Sequence, residues 1–161
     1  MEPRVDYTKY SDKIRGMFAL EQTVRNSGLE HSLIHLVKMR ASLINGCAYC
    51  IDMHSKEARA DGETEQRLYG LGAWRETPYY TDRERAALEW TDTLTQISTH
   101  HVSDELFERT RQHFSEEELV TLTLAVVAIN GWNRIAISMR NVPGSYQVQP
   151  QQAAKAVAQN A

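Results

Sequence analysis

A chain of 161 residues with a formal net charge of −3 is the right size for one domain with its own hydrophobic core, so neither disulfides nor a structural metal are needed to make up for small size. Its 18 Lys and Arg and 21 Asp and Glu are interspersed, without the basic stripe or acidic tail of a nucleic-acid or anionic-membrane binder. The opening Met1 to Lys9 lacks a basic start followed by an apolar run, and no later stretch is continuously apolar for 18 residues, so a soluble, cytoplasmic protein with no membrane partner is expected.

Apolar residues recur at helical spacing in nearly every segment and alternating Val/Ile/Thr runs are missing, which predicts an all-α fold. A first helix is expected from about Ser11, burying Ile14, Met17, Phe18 and Leu20 to Val24 and stopping at Ser27-Gly28. A second runs from about Glu30 to Asn45 with Leu33, Leu36, Val37 and Leu43 inward. Asn45-Gly46 breaks it, and a third helix from about Cys47 ends at Asp61-Gly62. A short helix lies between Glu63 and Leu71, and Gly70 to Pro78 reads as a loop.

Thr81 caps a helix reaching about Ile97, with Ala86, Leu88 and Trp90 inward, and Ser103 caps a short one ending near Phe114. Ser115 and Glu118 have capping-box spacing ahead of a long apolar helix to Met139, which is expected to be the central packing element. Residues 1–142 then form a single helical domain, with its core motifs at about 28–140. Past Pro143-Gly144, residues 143–161 are rich in Gln, Ala, Ser and Val and read as a tail, mobile or lying on a neighbouring subunit, without chemistry of its own. Ile44-Asn45-Gly46 recurs as Ile129-Asn130-Gly131, which makes a degenerate internal helical repeat a candidate feature.

The only two cysteines stand three apart in Cys47-Ala48-Tyr49-Cys50, with His54 one turn on. A bond between them closes too small a loop to act as a structural staple, so the pair reads as redox-active or metal-binding. At about 100° per residue, Cys50 and His54 lie about 40° apart and Cys47 and His54 about 20° apart on one helix face. A histidine there can take a thiol proton or stabilise the thiolate, the species that attacks peroxides and disulfides. The helix start adds its positive dipole end and free N–H groups, which on geometry alone favour Cys47 as the more acidic thiol. The second cysteine can close a disulfide on an oxidised first one, and a reductant can reopen it. No strand precedes the motif, so likeness to thioredoxin fails. Zinc held by Cys47, Cys50, His54 and a further ligand such as His35 is the competing reading, and two inert buried cysteines beside an unrelated histidine is a third.

The run from Leu36 to Ala58, which contains Cys47, Cys50 and His54, strongly resembles the core of the alkylhydroperoxidase D-like family, within the carboxymuconolactone decarboxylase superfamily. Ala128 to Arg134 resembles that family's last core helix. The resemblance covers roughly Gly28 to Met139. It implies an all-helical homo-oligomer, trimeric or hexameric, that reduces hydroperoxides with two thiols and no cofactor, its electrons coming from a dithiol or a protein disulfide reductant. By that likeness Cys50 attacks peroxide, Cys47 resolves it, and His54 belongs to a proton relay. The family relay also holds a glutamate twelve residues before the first cysteine, where this chain has His35. Histidine can shuttle protons there but supplies no fixed negative charge to orient His54. A disulfide reductase or adaptor that recycles another peroxidase is the alternative enzyme; lactone decarboxylation would leave the dithiol without a task.

Among the remaining residues, Arg40 is expected to pair with a carboxylate such as Asp52 or Glu57, and Tyr49 to pack on the far side of the helix. His31, His100, His101 and His113 read as surface residues. Trp132, Asn133 and Arg134 are expected to support the core or an interface.

Overall fold

The computed structural model describes residues 1–148. A 3-10 turn at Tyr7–Tyr10 leads into α1 (Ser11–Arg25), followed by α2 (His31–Asn45), α3 (Ala48–Ala60) and α4 (Glu65–Gly70). After α4 come a 3-10 segment at Leu71–Glu76, α5 (Asp82–Thr95), α6 (Asp104–Arg111) and α7 (Glu116–Met139). The described residues contain no strand, and the fold is all-helical. The stretch expected to be a loop after Gly70 is instead mostly 3-10 helix, which buries Leu71 and Trp74.

The boundaries follow from the caps. The Thr81 and Ser115 hydroxyls accept from the backbone N–H of Glu84 and Glu118, whose carboxylates return to the cap backbone, so α5 and α7 both open with a complete capping box. Ser103 and Thr64 cap α6 and α4 in the simpler way.

The hub is α2, not α7. It packs against α3, α5, α7 and the 3-10 segment, and supplies both main hydrophobic clusters. Leu33, Ile34 and Val37 join Trp90, Phe114, Leu122 and Val126 in one, while Leu36 and Met39 join Leu71, Trp74, Tyr80 and Leu88 in the other. A helix buried on two faces has little solvated surface left, and even Lys38 and Ser42 are buried on it. Among the described residues one helix, α7, is long and apolar enough to cross a membrane; 44% of its most apolar stretch is buried within the bundle. Its other side keeps Val120, Val127 and Ile137 exposed.

α1 buries less than its pattern suggests. Only Val24 is fully buried, and Phe18 remains 52% exposed, its ring 5.2 Å from that of Trp132 on α7. The two Asn-Gly motifs also end differently: Gly46, at φ +66°, terminates α2, whereas Gly131 lies inside α7, which runs on to Met139. The repeat is therefore one of sequence and contact, not of element boundaries.

The first residues of the C-terminal segment lie on their own α3. The Gly144 N–H donates to Asp52 Oδ2 (3.0 Å), Lys56 Nζ donates to the Tyr146 carbonyl (3.0 Å), and the Tyr146 hydroxyl donates to Glu57 Oε1 (2.8 Å). The rest of the expected tail, 149–161, lies outside the described residues.

Candidate active site

The site starts at the α2–α3 corner. Gly46 in the left-handed conformation lets the Cys47 N–H return to the Ser42 carbonyl (3.0 Å), closing α2 and turning the chain sharply into α3. Cys47 thereby becomes the N-cap of α3, its Sγ accepting from the Cys50 N–H at 3.4 Å. A disulfide joins Cys47 and Cys50, whose Cα atoms are 5.3 Å apart. Both are buried, packed with Ala136 of α7 and Tyr49.

The cysteines differ in what lies before them. Cys50, His54 and His35 line a cavity of about 300 Å³; Cys47 does not and sits behind Cys50. Phe18, Ile34, Tyr49, Met53 and Trp132 make much of the wall apolar, and the exposed Arg25 and His31 are also on it. Tyr49 packs as expected, but on the cysteines and the cavity wall and not on the far side of the helix, and His31, exposed as expected, also lies on that wall. Trp132 lines it too, while Asn133 is fully buried and Arg134 is exposed, donating to the Asn130 carbonyl.

His54 is buried, and its Nδ1 meets Glu57 Oε2 at 2.9 Å, one turn along the same helix. A carboxylate can only accept, so Nδ1 carries the hydrogen and Nε2 of the neutral ring keeps its lone pair. Burial pushes the His54 pKa down, beyond what the Glu57 hydrogen bond restores, so the ring is neutral near pH 7. Burial pushes Glu57 up, but hydrogen bonds from His54 and Tyr146 and the charge of Lys38 outweigh it, and its pKa falls to about 2. Tyr146 is raised in turn by burial and by Glu57. Glu57 thus supplies the fixed negative charge that the position of His35 lacks. Its i,i+3 spacing from His54 was available in the sequence; the Tyr146 contact, 89 residues away, was not.

His35 belongs to a separate dyad, with Nε2 on Asp61 Oδ2 at 2.7 Å. Lys38 and Glu21, also on the cavity wall, neutralise each other in an ion pair. Arg40 is elsewhere: it pairs with Asp92 of α5, not with Asp52 or Glu57, and its guanidinium also donates to the Leu71 carbonyl at 3.0 Å. Asp92 gathers Trp74 Nε1 and Arg75 as well, making the cluster a brace between α2, α5 and the 3-10 segment. The ligand set of the zinc reading does not assemble: among the described residues no group of three or more His, Cys, Asp and Glu is placed to hold a metal ion.

Residues 14–93 match the carboxymuconolactone decarboxylase family. The uncharacterized protein YdfG of Bacillus subtilis (strain 168) is 44% identical over 142 residues, 88% of this chain and 97% of YdfG. The chain belongs to this family. Within the carboxymuconolactone decarboxylase family its likeness is to the alkylhydroperoxidase D side. A crystal structure from Agrobacterium tumefaciens, presented as a protein of unknown function and candidate antioxidant defence protein AhpD, is 49% identical with a TM-score of 0.86, over 90% of this chain and all of that one. A peroxidase-related protein with an AhpD core from Ralstonia eutropha JMP134 shares the fold at 21% identity and a TM-score of 0.77, over 89% of this chain and 77% of that one.

Proposed function

We propose that the protein is a thiol-dependent peroxidase that reduces organic hydroperoxides through a dithiol/disulfide cycle. One observation carries the reading: Cys50 opens on a mostly apolar cavity that also holds a Glu57-bound neutral His54, while Cys47 stands bonded behind it. His54 Nε2 is free to take the thiol proton, and the Cys50 thiolate attacks the distal peroxide oxygen. The O–O bond breaks, the alcohol leaves, and Cys50 becomes a sulfenic acid. Cys47 then attacks the Cys50 sulfur, expelling water and forming the disulfide.

The N-cap position of Cys47 serves the return half of the cycle. A dithiol entering the cavity attacks the Cys50 sulfur and expels the Cys47 thiolate, which the Cys50 N–H and the start of α3 stabilise. The reductant's second thiol then attacks its own sulfur in the mixed disulfide, leaving as a cyclic disulfide and freeing the Cys50 thiolate. At 2% exposure Cys50 suits a small substrate better than a bulky protein disulfide, which favours peroxidase over adaptor.

The test is cumene hydroperoxide consumption with dithiothreitol as reductant. Cys50→Ser should abolish it, and Cys47→Ser should trap a sulfenic acid on Cys50 that dimedone labels. Unchanged consumption in Cys50→Ser overturns the reading.

A further inference from the structure

Among the described residues only two buried side-chain nitrogens or oxygens lack a hydrogen-bond partner, Nδ1 of His35 and Nε2 of His54. Both histidines line the cavity onto which Cys50 opens. Each has its other nitrogen on a carboxylate, Asp61 for His35 and Glu57 for His54. An unsatisfied buried polar group costs about 1–3 kcal/mol, so two on side chains that line one cavity point to a ligand there that supplies what they lack. The carboxylates fix what that is. With a hydrogen held toward each carboxylate, the free nitrogen of an uncharged imidazole is an acceptor, and in that form the two rings call for two donors.

Peroxide reduction brings two: the S–H of Cys50 and the O–H of the hydroperoxide. His54 stands four residues after Cys50 on one face of α3 and is matched to the thiol, whereas His35 comes from α2. We propose that His35 is a substrate-binding residue whose Nδ1 accepts the O–H of the bound hydroperoxide, with Asp61 fixing the tautomer that makes this possible.

This rests on the peroxidase reading and assigns a task to the residue that replaces the relay glutamate. The Cys50 sulfur forms a bond to the distal oxygen as the O–O bond breaks, and the thiol proton held on His54 passes to the departing alkoxide. The distal oxygen keeps its hydrogen and becomes the sulfenic hydroxyl, still donating to His35. Sulfur is oxidised by two electrons and the peroxide reduced by two.

The experiment compares a reagent that has an O–H with one that has no donor. Cumene hydroperoxide should oxidise Cys50 of reduced His35→Leu at least tenfold more slowly than in the parent protein. His35→Gln, which keeps an acceptor, should recover part of the rate. Methyl methanethiosulfonate, which presents no donor, should react with Cys50 in all three proteins within twofold. An equal slowing with both reagents, or none with the hydroperoxide, overturns the proposal. Binding is followed separately, without turnover, through Trp132 fluorescence. Cumyl alcohol should bind the parent at least fivefold more tightly than His35→Leu, while its methyl ether should not distinguish them. If the parent consumes no hydroperoxide yet shows this discrimination, the peroxidase reading falls and recognition of an O–H by His35 stands; without the discrimination, the proposal falls.

Discussion

The side-chain amide of Asn45, the last residue of α2, donates to Oδ1 of Asn130 on α7 at 3.0 Å, joining the matching positions of the two Ile-Asn-Gly motifs. The same Nδ2 donates to Asn133 Oδ1 at 2.8 Å; Asn133 donates to Ser42 Oγ at 3.1 Å, and Asn130 to Thr95 Oγ1 at 3.1 Å. This amide ladder fastens α2, α5 and α7 beside the corner that carries Cys47.

Asn133 is fully buried, so removing it leaves Asn45 and Ser42 short of partners. Asn133→Ala should lower stability by about 2–4 kcal/mol, the sum of unsatisfied partners and a small cavity. A fall in urea midpoint at unchanged slope checks it.

The ladder also marks how far the sequence could be read. The common face of Cys50 and His54 was legible because α3 carries both and helical spacing is fixed, whereas Cys47, expected on that face, is the extended N-cap before α3 and does not line the cavity. The caps at Thr81 and Ser115 were legible for the same local reason. What escaped was long-range: Arg40 meets Asp92 across 52 residues, and Tyr146 meets Glu57 across 89. α1 was overread because Phe18 and Met17 are apolar for the sake of the cavity and of α7, not of the main core.

Tyr146 gives a second prediction. Its hydroxyl holds the carboxylate that holds His54, so Tyr146→Phe should raise the Glu57 pKa and loosen the imidazole. Peroxide oxidation of Cys50 is expected to slow about three- to tenfold, the scale of one hydrogen bond. The acid limb of the pH–rate profile should move to higher pH, and the unfolding free energy should change by no more than about 1 kcal/mol. Stopped-flow oxidation across pH 4–8 separates this from a plain loss of fold.

Acid should destabilise the protein through the same pair. Glu57 is depressed to about 2 from 4.5, so the unfolded chain takes up its proton first; the stability this contributes is full above pH 4.5 and is lost as pH falls toward 2. The shift corresponds to roughly 3 kcal/mol. His54, lowered by burial, adds a loss in the same direction beginning near its ordinary value of 6.5. Chemical denaturation of Glu57→Gln at pH 7 and pH 3 should show a smaller difference between the two than the parent does, the part due to His54 remaining. An equal difference would show that Glu57 does not carry the effect.

The two glycines of the repeated motif should respond to alanine for different reasons and to different extents. Gly46 has φ +66° and open space around it, so a side chain there meets no neighbour but strains the backbone at the turn that delivers Cys47. Gly46→Ala should cost about 1–2 kcal/mol. Gly131 has helical backbone, and alanine gains about 1 kcal/mol of helix propensity. Its new Cβ would lie 2.7 Å from Met17 Cε, the movable end of a flexible side chain, so the contact takes back part of that gain. Gly131→Ala is therefore expected within about 1 kcal/mol of the parent. The clash can be isolated with a double-mutant cycle: in a Met17→Ala background the obstruction is gone, and Gly131→Ala should become stabilising by roughly its full propensity gain. If the substitution has the same effect in both backgrounds, the approach of α1 to α7 is not what makes glycine useful at 131.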